Sequence, residues 1–221
     1  VVDTRDAKDI SRNELVSKMV GRPIENEFPI RTNYAGKTLL EVRGLCTDKL
    51  KDVSFDVKAG EILGLVGLVG SGRTEIVRAL FGADCAQSGS FLINGEKVEI
   101  HSPIDAKKAG IGFVTEDRKQ QGLFLKFSVE ENIIAANVKG ISEHGFISEK
   151  KSRATAQKYV KDLAIKAPKL STKVLSLSGG NQQKCIIARW LEVHPRILIL
   201  DEPLANLDDT TAGMIEDLLL S

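Results

Sequence analysis

Apolar positions along the chain follow two periods, one typical of strands and one typical of helices. Alternation in "TLLEVRGL" and "LKDVSFDV" predicts edge strands, and the continuous run "GEILGLVG" predicts a buried strand. "IGFVT" predicts a second buried strand, and "RILILDE" predicts a short all-apolar strand that ends in two carboxylates. "SFLINGEKVEI" predicts a hairpin, because Asn94-Gly95 supplies the positive φ angles of a tight turn.

Segments with helical periodicity lie between these strands. A glycine-rich loop precedes one predicted helix, whose apolar face consists of Ile76, Val77, Leu80 and Phe81. "SPIDAKKAG" predicts a short helix capped by Ser102, and a further helix follows "LSGG" and stops at Pro195. Residues 122–176 read as mostly helical, with a capping box at Ser128 and Glu131. Within them an apolar stripe repeats at helical spacing, at Ala156, Tyr159, Val160 and Leu163.

Strands that alternate with helices predict an α/β fold with a mainly parallel core sheet. The compact domain is expected to begin near Thr38. Before it, "ISRNELVSKMVGRP" predicts a helix that opens on a Ser11 and Glu14 capping pair, and residues 22–37 predict a linker.

Composition narrows the function classes. The net charge of +1 on 221 residues gives no sign of a large nucleic-acid footprint. The longest apolar run, "ILGLVGLVG", is too short to cross a bilayer. The three cysteines show no metal-ligand spacing, which predicts reduced cytosolic thiols. No signal peptide is visible, and the missing initiator methionine predicts a piece of a longer protein.

The stretch "GLVGSGRT" has the spacing of a phosphate-binding loop between a strand and a helix. Glycines there let backbone amides turn toward phosphates, and the following helix adds its N-terminal partial charge. The residues of this predicted nucleotide site are Gly67, Gly70, Ser71, Gly72, Arg73 and Thr74. The alternative is a glycine turn made only for packing. Thr74 also offers a hydroxyl to Mg²⁺.

Arg73 stands where such loops carry lysine. Arginine keeps the charge but presents a wide planar fork with a different reach, so the exchange is not conservative. We therefore expect nucleotide binding to persist and placement of the γ-phosphate to weaken, because phosphoryl transfer depends on that placement.

Two carboxylates end the predicted last strand. Asp201 is the candidate Mg²⁺ ligand, and Glu202 is the candidate catalytic residue that orients and polarises the attacking water. The alternative is a turn with two solvated carboxylates.

"LSGGNQQ" joins a small-residue turn to a helix start that can accept a phosphate. The residues of this motif are Leu177, Ser178, Gly179, Gly180, Asn181 and Gln182. The alternative is a simple helix cap, which Ser178 alone could supply.

In this order these stretches resemble the ATP-binding cassette (ABC) family of ATPases. "LSGGNQQ" is similar to the family signature, and "RILILDEP" to its acidic strand. "NLDD" is similar to the loop after that strand, called the D-loop, which gives the candidates Asn206, Leu207 and Asp208. The resemblance implies a P-loop NTPase of ABC type, with a mainly parallel core sheet, an antiparallel β subdomain and a helical subdomain at about residues 122–176.

Finer features resemble the second ATPase half of bacterial monosaccharide importers, namely "LVGSGRTE" and "SPIDAKKAGIGFVTEDRKQQGL". That likeness implies that residues 1–37 end the preceding domain and form the linker. Residues 38–221 would then be the nucleotide-binding domain. In the family the switch histidine, which contacts the γ-phosphate, follows the acidic strand. All three histidines of this chain precede Asp201, so we expect the chain to end before that histidine.

The resemblance also implies ligands and partners. ATP with Mg²⁺ would lie between the phosphate loop of one half and the signature of the other. The partners would be the first nucleotide-binding half of the same chain, an integral membrane permease and, indirectly, a periplasmic or lipid-anchored sugar-binding protein. The permease is expected to contact the turn after "IGFVT" and the helical insert. The site would lie at the cytoplasmic face of the cell membrane.

Several positions depart from the family pattern. Glu116 occupies the place of a glutamine that senses Mg²⁺ and water, the Q-loop position. Neither Cys46 nor Thr47 offers the usual aromatic ring for adenine. "LANLDD" lacks the Thr-Arg-Gly of sugar-importer second halves.

None of these departures falls in the signature. The main hypothesis is therefore that this chain has a weakened nucleotide site of its own and an intact signature that completes the ATP site of the partner half. One alternative is a regulatory half that binds nucleotide without hydrolysing it. Another is an importer of nucleosides or another small polar solute. A nucleic-acid-associated ATPase is disfavoured, because the segment between Gly122 and Leu177 is compact and its charges are mixed.

Overall fold

The structure is a computed structural model, and it describes residues 36–203 together with residues 10, 11, 14, 18 and 213. Most of the predicted first helix and of the linker lies outside the described residues. Within that helix the amide of Glu14 donates to the Ser11 Oγ at 3.2 Å, which matches one half of the predicted capping pair.

The described residues form eight β-strands, six α-helices, one π-helical turn and one 3₁₀ turn. In chain order they are β1 Thr38–Cys46, β2 Val53–Lys58, α1 Arg73–Leu80, β3 Ser88–Ile93, β4 Glu96–Val98, α2 Pro103–Lys108, β5 Ile111–Val114, the π-turn Arg118–Gly122, α3 Val129–Ile134, α4 Val138–Ile141, β6 Ser142–Glu143, β7 Phe146–Ile147, α5 Glu149–Asp162, the 3₁₀ turn Val174–Ser176, α6 Gly179–Glu192 and β8 Ile197–Leu200.

An antiparallel sheet runs in the order β2-β1-β3-β4. The prediction of an edge strand is correct for β2 and wrong for β1, which pairs on both sides. Alternation in β1 reports one buried face, carried by Leu40, Val42 and Leu45, and it says nothing about the number of neighbouring strands. The predicted hairpin is confirmed, with positive φ angles of 54° at Asn94 and 79° at Gly95.

A parallel pair, β5 and β8, forms the second layer of sheet. Its register runs from Ile111 opposite Ile197 to Val114 opposite Leu200, and every residue of β5 is buried. The amide of Asp201 extends the pair by donating to the Val114 carbonyl at 2.9 Å. The predicted buried strand at "IGFVT" is therefore confirmed, and the predicted apolar strand at "RILILDE" forms with Ile197 buried and its other three residues half-buried.

The other prediction of a buried strand, at "GEILGLVG", is wrong for this structure. Residues 61–68 adopt no strand, and Val66 and Leu68 are 95% and 85% exposed. Only Leu65 of this run packs against the core of the antiparallel sheet. An apolar run indicates a preference for burial, but a strand exists only where a neighbour takes its hydrogen bonds, and Gly64 and Gly67 bring no side chain to hold it.

Helices α3, α4 and α5 and the 3₁₀ turn lie within residues 122–176, where loops and the β6–β7 hairpin connect them. The α3 capping box of Ser128 and Glu131 is confirmed, and the α5 stripe packs into a second core cluster with Ala156 and Tyr159 buried. The hairpin β6–β7 was not predicted, because two-residue strands are too short to show a period. No helix among the described residues is both long and apolar enough to span a bilayer.

Helix α6 joins the two core clusters. Trp190 packs against both, and its ring meets Phe81 edge-on with centroids 5.4 Å apart. The result is the α/β fold that was predicted, with an antiparallel β region, a parallel pair and a helical region, and with α6 running between them.

Candidate functional site

The glycine-rich loop depends on glycine at two positions. The Ser71 amide donates to the Leu68 carbonyl at 3.0 Å and closes a turn. A Cβ at Gly67 would lie 2.4 Å from the Ser71 Oγ and 3.0 Å from the Ser71 Cβ, so a side chain there would displace Ser71. Gly72 has φ 93° and begins α1 without a side-chain cap. The loop spacing therefore follows from backbone geometry.

This loop is open to solvent. Residues 67–71 and Thr74 are exposed, whereas Arg73 is half-buried at the first position of α1. Because the first amides of a helix have no partner within the helix, and Gly72 offers no capping side chain, the start of α1 can accept an anion. The loop is not the closed and buried turn that would exclude a phosphate.

The acidic end of β8 comes close enough to the loop for Arg73 and Asp201 to interact electrostatically. Burial raises the pKa of Asp201 above its ordinary 3.8, repulsion by Glu202 raises it further, and Arg73 lowers it. Glu202 is exposed and has a positive φ of 44°, which is strained for a residue with a side chain. The end of β8 therefore lies within electrostatic reach of the loop.

The donor atoms at this edge fit Mg²⁺. Thr74 brings a hydroxyl and Asp201 a carboxylate, and Mg²⁺ prefers such hard oxygen ligands. Among the described residues, no three or more His, Cys, Asp or Glu side chains form a group that could hold a metal ion. Mg²⁺ does not need one, since it binds through one or two carboxylates together with phosphate oxygens and water.

The start of α6 presents Ser178 to solvent, while Gly179 and Gly180 are half-buried. The Ser178 hydroxyl does not cap the helix; it accepts instead from the Asn181 side-chain amide at 2.8 Å. The simple-cap interpretation is therefore wrong.

The neighbouring signature residues hold this helix start from within the domain. Gln182 is buried, and its side-chain amide donates to the Val174 and Leu177 carbonyls at 3.1 and 3.3 Å. The Asn181 side chain accepts from the Lys166 amide at 2.7 Å.

Glu116 is exposed and stands two residues before the π-turn. Asp117 caps that turn by accepting from the Lys119 and Gln120 amides at 3.1 and 3.0 Å. Arg118 reaches α6 and donates to the Gly179 carbonyl at 2.7 Å. The structure thus connects the Glu116 segment to the signature, a contact that the sequence did not reveal.

Arg189 is a second residue that sequence reasoning missed. It is buried, and its guanidinium donates to the Gly122 carbonyl at 2.6 Å, the Asn132 carbonyl at 2.8 Å and the Asn132 Oδ1 at 2.7 Å. Burial lowers the pKa of Arg189 to about 10, so it stays charged at neutral pH. The available signal was a lone cation within the apolar stretch "CIIARWLE".

The end of β1 forms a polar turn where the family would place an aromatic ring. The Thr47 hydroxyl accepts from the amides of Lys49 and Leu50, and Lys49 pairs with Glu75 on α1 at 2.9 Å. The predicted D-loop residues Asn206, Leu207 and Asp208 lie outside the described residues.

The α/β fold and the open glycine loop at the start of α1 define the class as a phosphate-loop nucleotide-binding domain. The family model described as ABC transporter matches residues 50–205. The chain therefore belongs to the family of ABC transporter ATPases.

Relatives and solved structures agree with this assignment. The chain is 44% identical over 208 residues to a ribose import ATP-binding protein, RbsA, of Streptococcus agalactiae, covering 94% of this chain and 42% of that protein. It is 46% identical over 209 residues to RbsA 3 of Rubrobacter xylanophilus, with the same coverage. The chain thus spans less than half the length of the curated relatives that it matches.

A similar solved structure is the dimeric post-hydrolysis state of the ATP-binding cassette MJ0796 bound to ADP and Pi. It has a TM-score of 0.67 and 25% identity, and the match covers 82% of this chain and 81% of that one.

Asp201→Asn is expected to stabilise the fold at neutral pH. A raised native pKa means that the charged carboxylate is disfavoured by folding, and this penalty is complete above the native pKa. The gain should shrink as the pH falls and vanish below 3.8, where the carboxyl is protonated in both states. Urea unfolding across pH measures it, with the exposed Glu96→Gln as control; an equal gain for both variants contradicts the burial argument.

Arg189→Leu should lower the free energy of unfolding by about 3 kcal/mol, because carbonyl groups that now accept from a charged donor lose it. Arg189→Lys keeps the charge but loses the fork, so an intermediate loss is expected. Urea unfolding provides the measurement, and the exposed Arg153→Leu should change stability by less than about 0.5 kcal/mol. A similar small change for Arg189→Leu would show that the network contributes little.

Proposed function

We propose that this chain is the second ATP-binding half of an importer for ribose or a similar monosaccharide. The names of its relatives, both ribose import ATP-binding proteins, support the sugar cargo. The observation that carries the proposed role is the start of α6: Ser178 is exposed and does not cap its helix, although the helix is buried from Gln182 onward. A small-residue helix start turned outward suits a phosphate bound to another half.

In this proposal the chain's own site is complete but weak. Backbone amides of Gly70–Thr74 bind the triphosphate, and Thr74 and Asp201 hold Mg²⁺, which supplies charge stabilisation when bound. Glu202 orients and polarises the attacking water. Arg73 brings its charge to the phosphates on a wide planar guanidinium and also interacts electrostatically with Asp201. It therefore binds the γ-phosphate less well than a lysine would.

The remaining predicted sites take family roles in the same proposal. Glu116, which is exposed two residues before the π-turn, takes the Q-loop position. Asn206, Leu207 and Asp208 would line the contact with the partner half. The first ATPase half and a membrane permease complete the assembly, a sugar-binding protein delivers cargo to the permease, and the chain acts peripherally at the cytoplasmic face of the membrane.

A regulatory half without hydrolysis is the second candidate. The presence of both carboxylates, Asp201 and Glu202, argues for residual turnover, whereas Arg73 argues against rapid turnover. Single-turnover hydrolysis measured separately from nucleotide affinity distinguishes a slow enzyme from a binding module.

The test compares two variants of the full-length ATPase assembled with its permease. Ser178→Arg inserts a bulky cation where a partner's phosphate should approach, and it should lower transport-coupled kcat by at least about a hundredfold. Arg73→Ala removes one charge from a site that already turns over slowly, and it should lower kcat by less than about fivefold.

Arg153→Ala, on the exposed face of α5, serves as the control for removal of an arginine. Equal losses for Ser178→Arg and Arg73→Ala would contradict the asymmetric role. Full activity of Ser178→Arg would contradict the signature role itself.

A further inference from the structure

The π-turn after Glu116 is fastened to α6 at both ends by arginines that run in opposite directions. At its start, Arg118 Nη1 donates to the Gly179 carbonyl at 2.7 Å. At its end, Arg189 Nη1 donates from α6 to the Gly122 carbonyl at 2.6 Å. Both are charge-assisted hydrogen bonds, which are short and strong, so the turn is held by two firm contacts.

A glycine also supplies the acceptor carbonyl of each contact. A Cβ on Gly179 would lie 2.9 Å from Arg118 Nη1, and a Cβ on Gly122 would lie 2.7 Å from the Ile186 Cδ1. A side chain at Gly179 would therefore displace the Arg118 guanidinium, and one at Gly122 would displace the end of the Ile186 side chain. The turn and α6 pack closely at both positions.

The turn itself is an uncommon conformation. π-helical segments are rare and occur mostly as single turns near functional sites, where surrounding contacts maintain them. Here Asp117 caps the turn, and the two arginines fix its ends. The turn is therefore tied at one end to the start of α6 and at the other end to its interior.

We propose that Arg118 is a positioning residue that sets the place of Ser178–Gly180 relative to Glu116. Through the Gly179 carbonyl, the state of this chain's own nucleotide site reaches the signature that it lends to the partner half. This role rests on the proposed function above. Removing Arg118 leaves the helix itself in place, because Gln182 and Arg189 still hold α6 from within.

The experiment uses the full-length ATPase with its permease and compares Arg118→Ala and Arg118→Lys with the matched control Arg153→Ala. Arg118→Ala should lower kcat about tenfold, the equivalent of one charge-assisted hydrogen bond. The KM for ATP should change by less than about twofold, because the chain's own loop is untouched. Arg118→Lys should recover part of kcat, since an ammonium can still donate to the carbonyl.

A double-mutant cycle with Glu116→Ala separates positioning from simple stability. If Arg118 transmits the state of Glu116, the effects of the two substitutions are non-additive in kcat. A purely structural Arg118 would instead give additive kcat losses and a Tm lowered by more than about 5 °C in both Arg118 variants.

Ser178→Arg in the same assembly distinguishes failure of the proposed function from failure of the Arg118 role alone. An active Ser178→Arg variant would overturn the proposed function and this inference together. An inactive Ser178→Arg variant beside a fully active Arg118→Ala variant would overturn the Arg118 role alone. Additive losses in the cycle, or the fall in Tm, would also overturn it.

Discussion

Burial of α6 is the constraint on which the rest of the described structure depends. Eight consecutive residues, from Gln182 to Arg189, are buried, so this helix has contacts around its whole circumference. Such a helix can meet another molecule only at its ends. Its N-terminal end carries Ser178 outward, and its interior carries Arg189 into a network of carbonyl groups.

Two contacts bring distant parts of the chain together. The phosphate loop and the acidic end of β8 interact through Arg73 and Asp201, and the segment after Glu116 reaches the signature through Arg118. The first pairing lies within the proposed nucleotide site, and the second ties the Glu116 segment to the proposed signature. Under the proposed function, a half that lends its signature to a partner would use both contacts.

Much of this arrangement could be predicted from the sequence where local chemistry decides the outcome. The Asn94-Gly95 hairpin, the Ser128 capping box and the carboxylates after β8 each depend on a few adjacent residues. The run "GEILGLVG" failed because pairing with another strand is a long-range property that an apolar run does not encode.

Side-chain roles that span the fold were also beyond the sequence. Ser178 has the residue type of a helix cap, yet its hydroxyl turns to Asn181. Arg118 and Arg189 gain their partners from segments 61 and 67 residues away. Their chemistry is visible in the sequence, but the carbonyl groups that they meet are fixed only by packing.

The most direct test is to determine whether the start of α6 contacts the γ-phosphate of a nucleotide, and which ATPase half binds that nucleotide. A photoreactive γ-phosphate analogue of ATP, trapped in the full-length transporter and mapped by mass spectrometry, reports which residues it touches. The account predicts labelling of the peptide that contains Ser178–Gly180 by nucleotide bound to the other ATPase half. Labelling confined to residues 67–74 of this chain, with none at the α6 start, would contradict it.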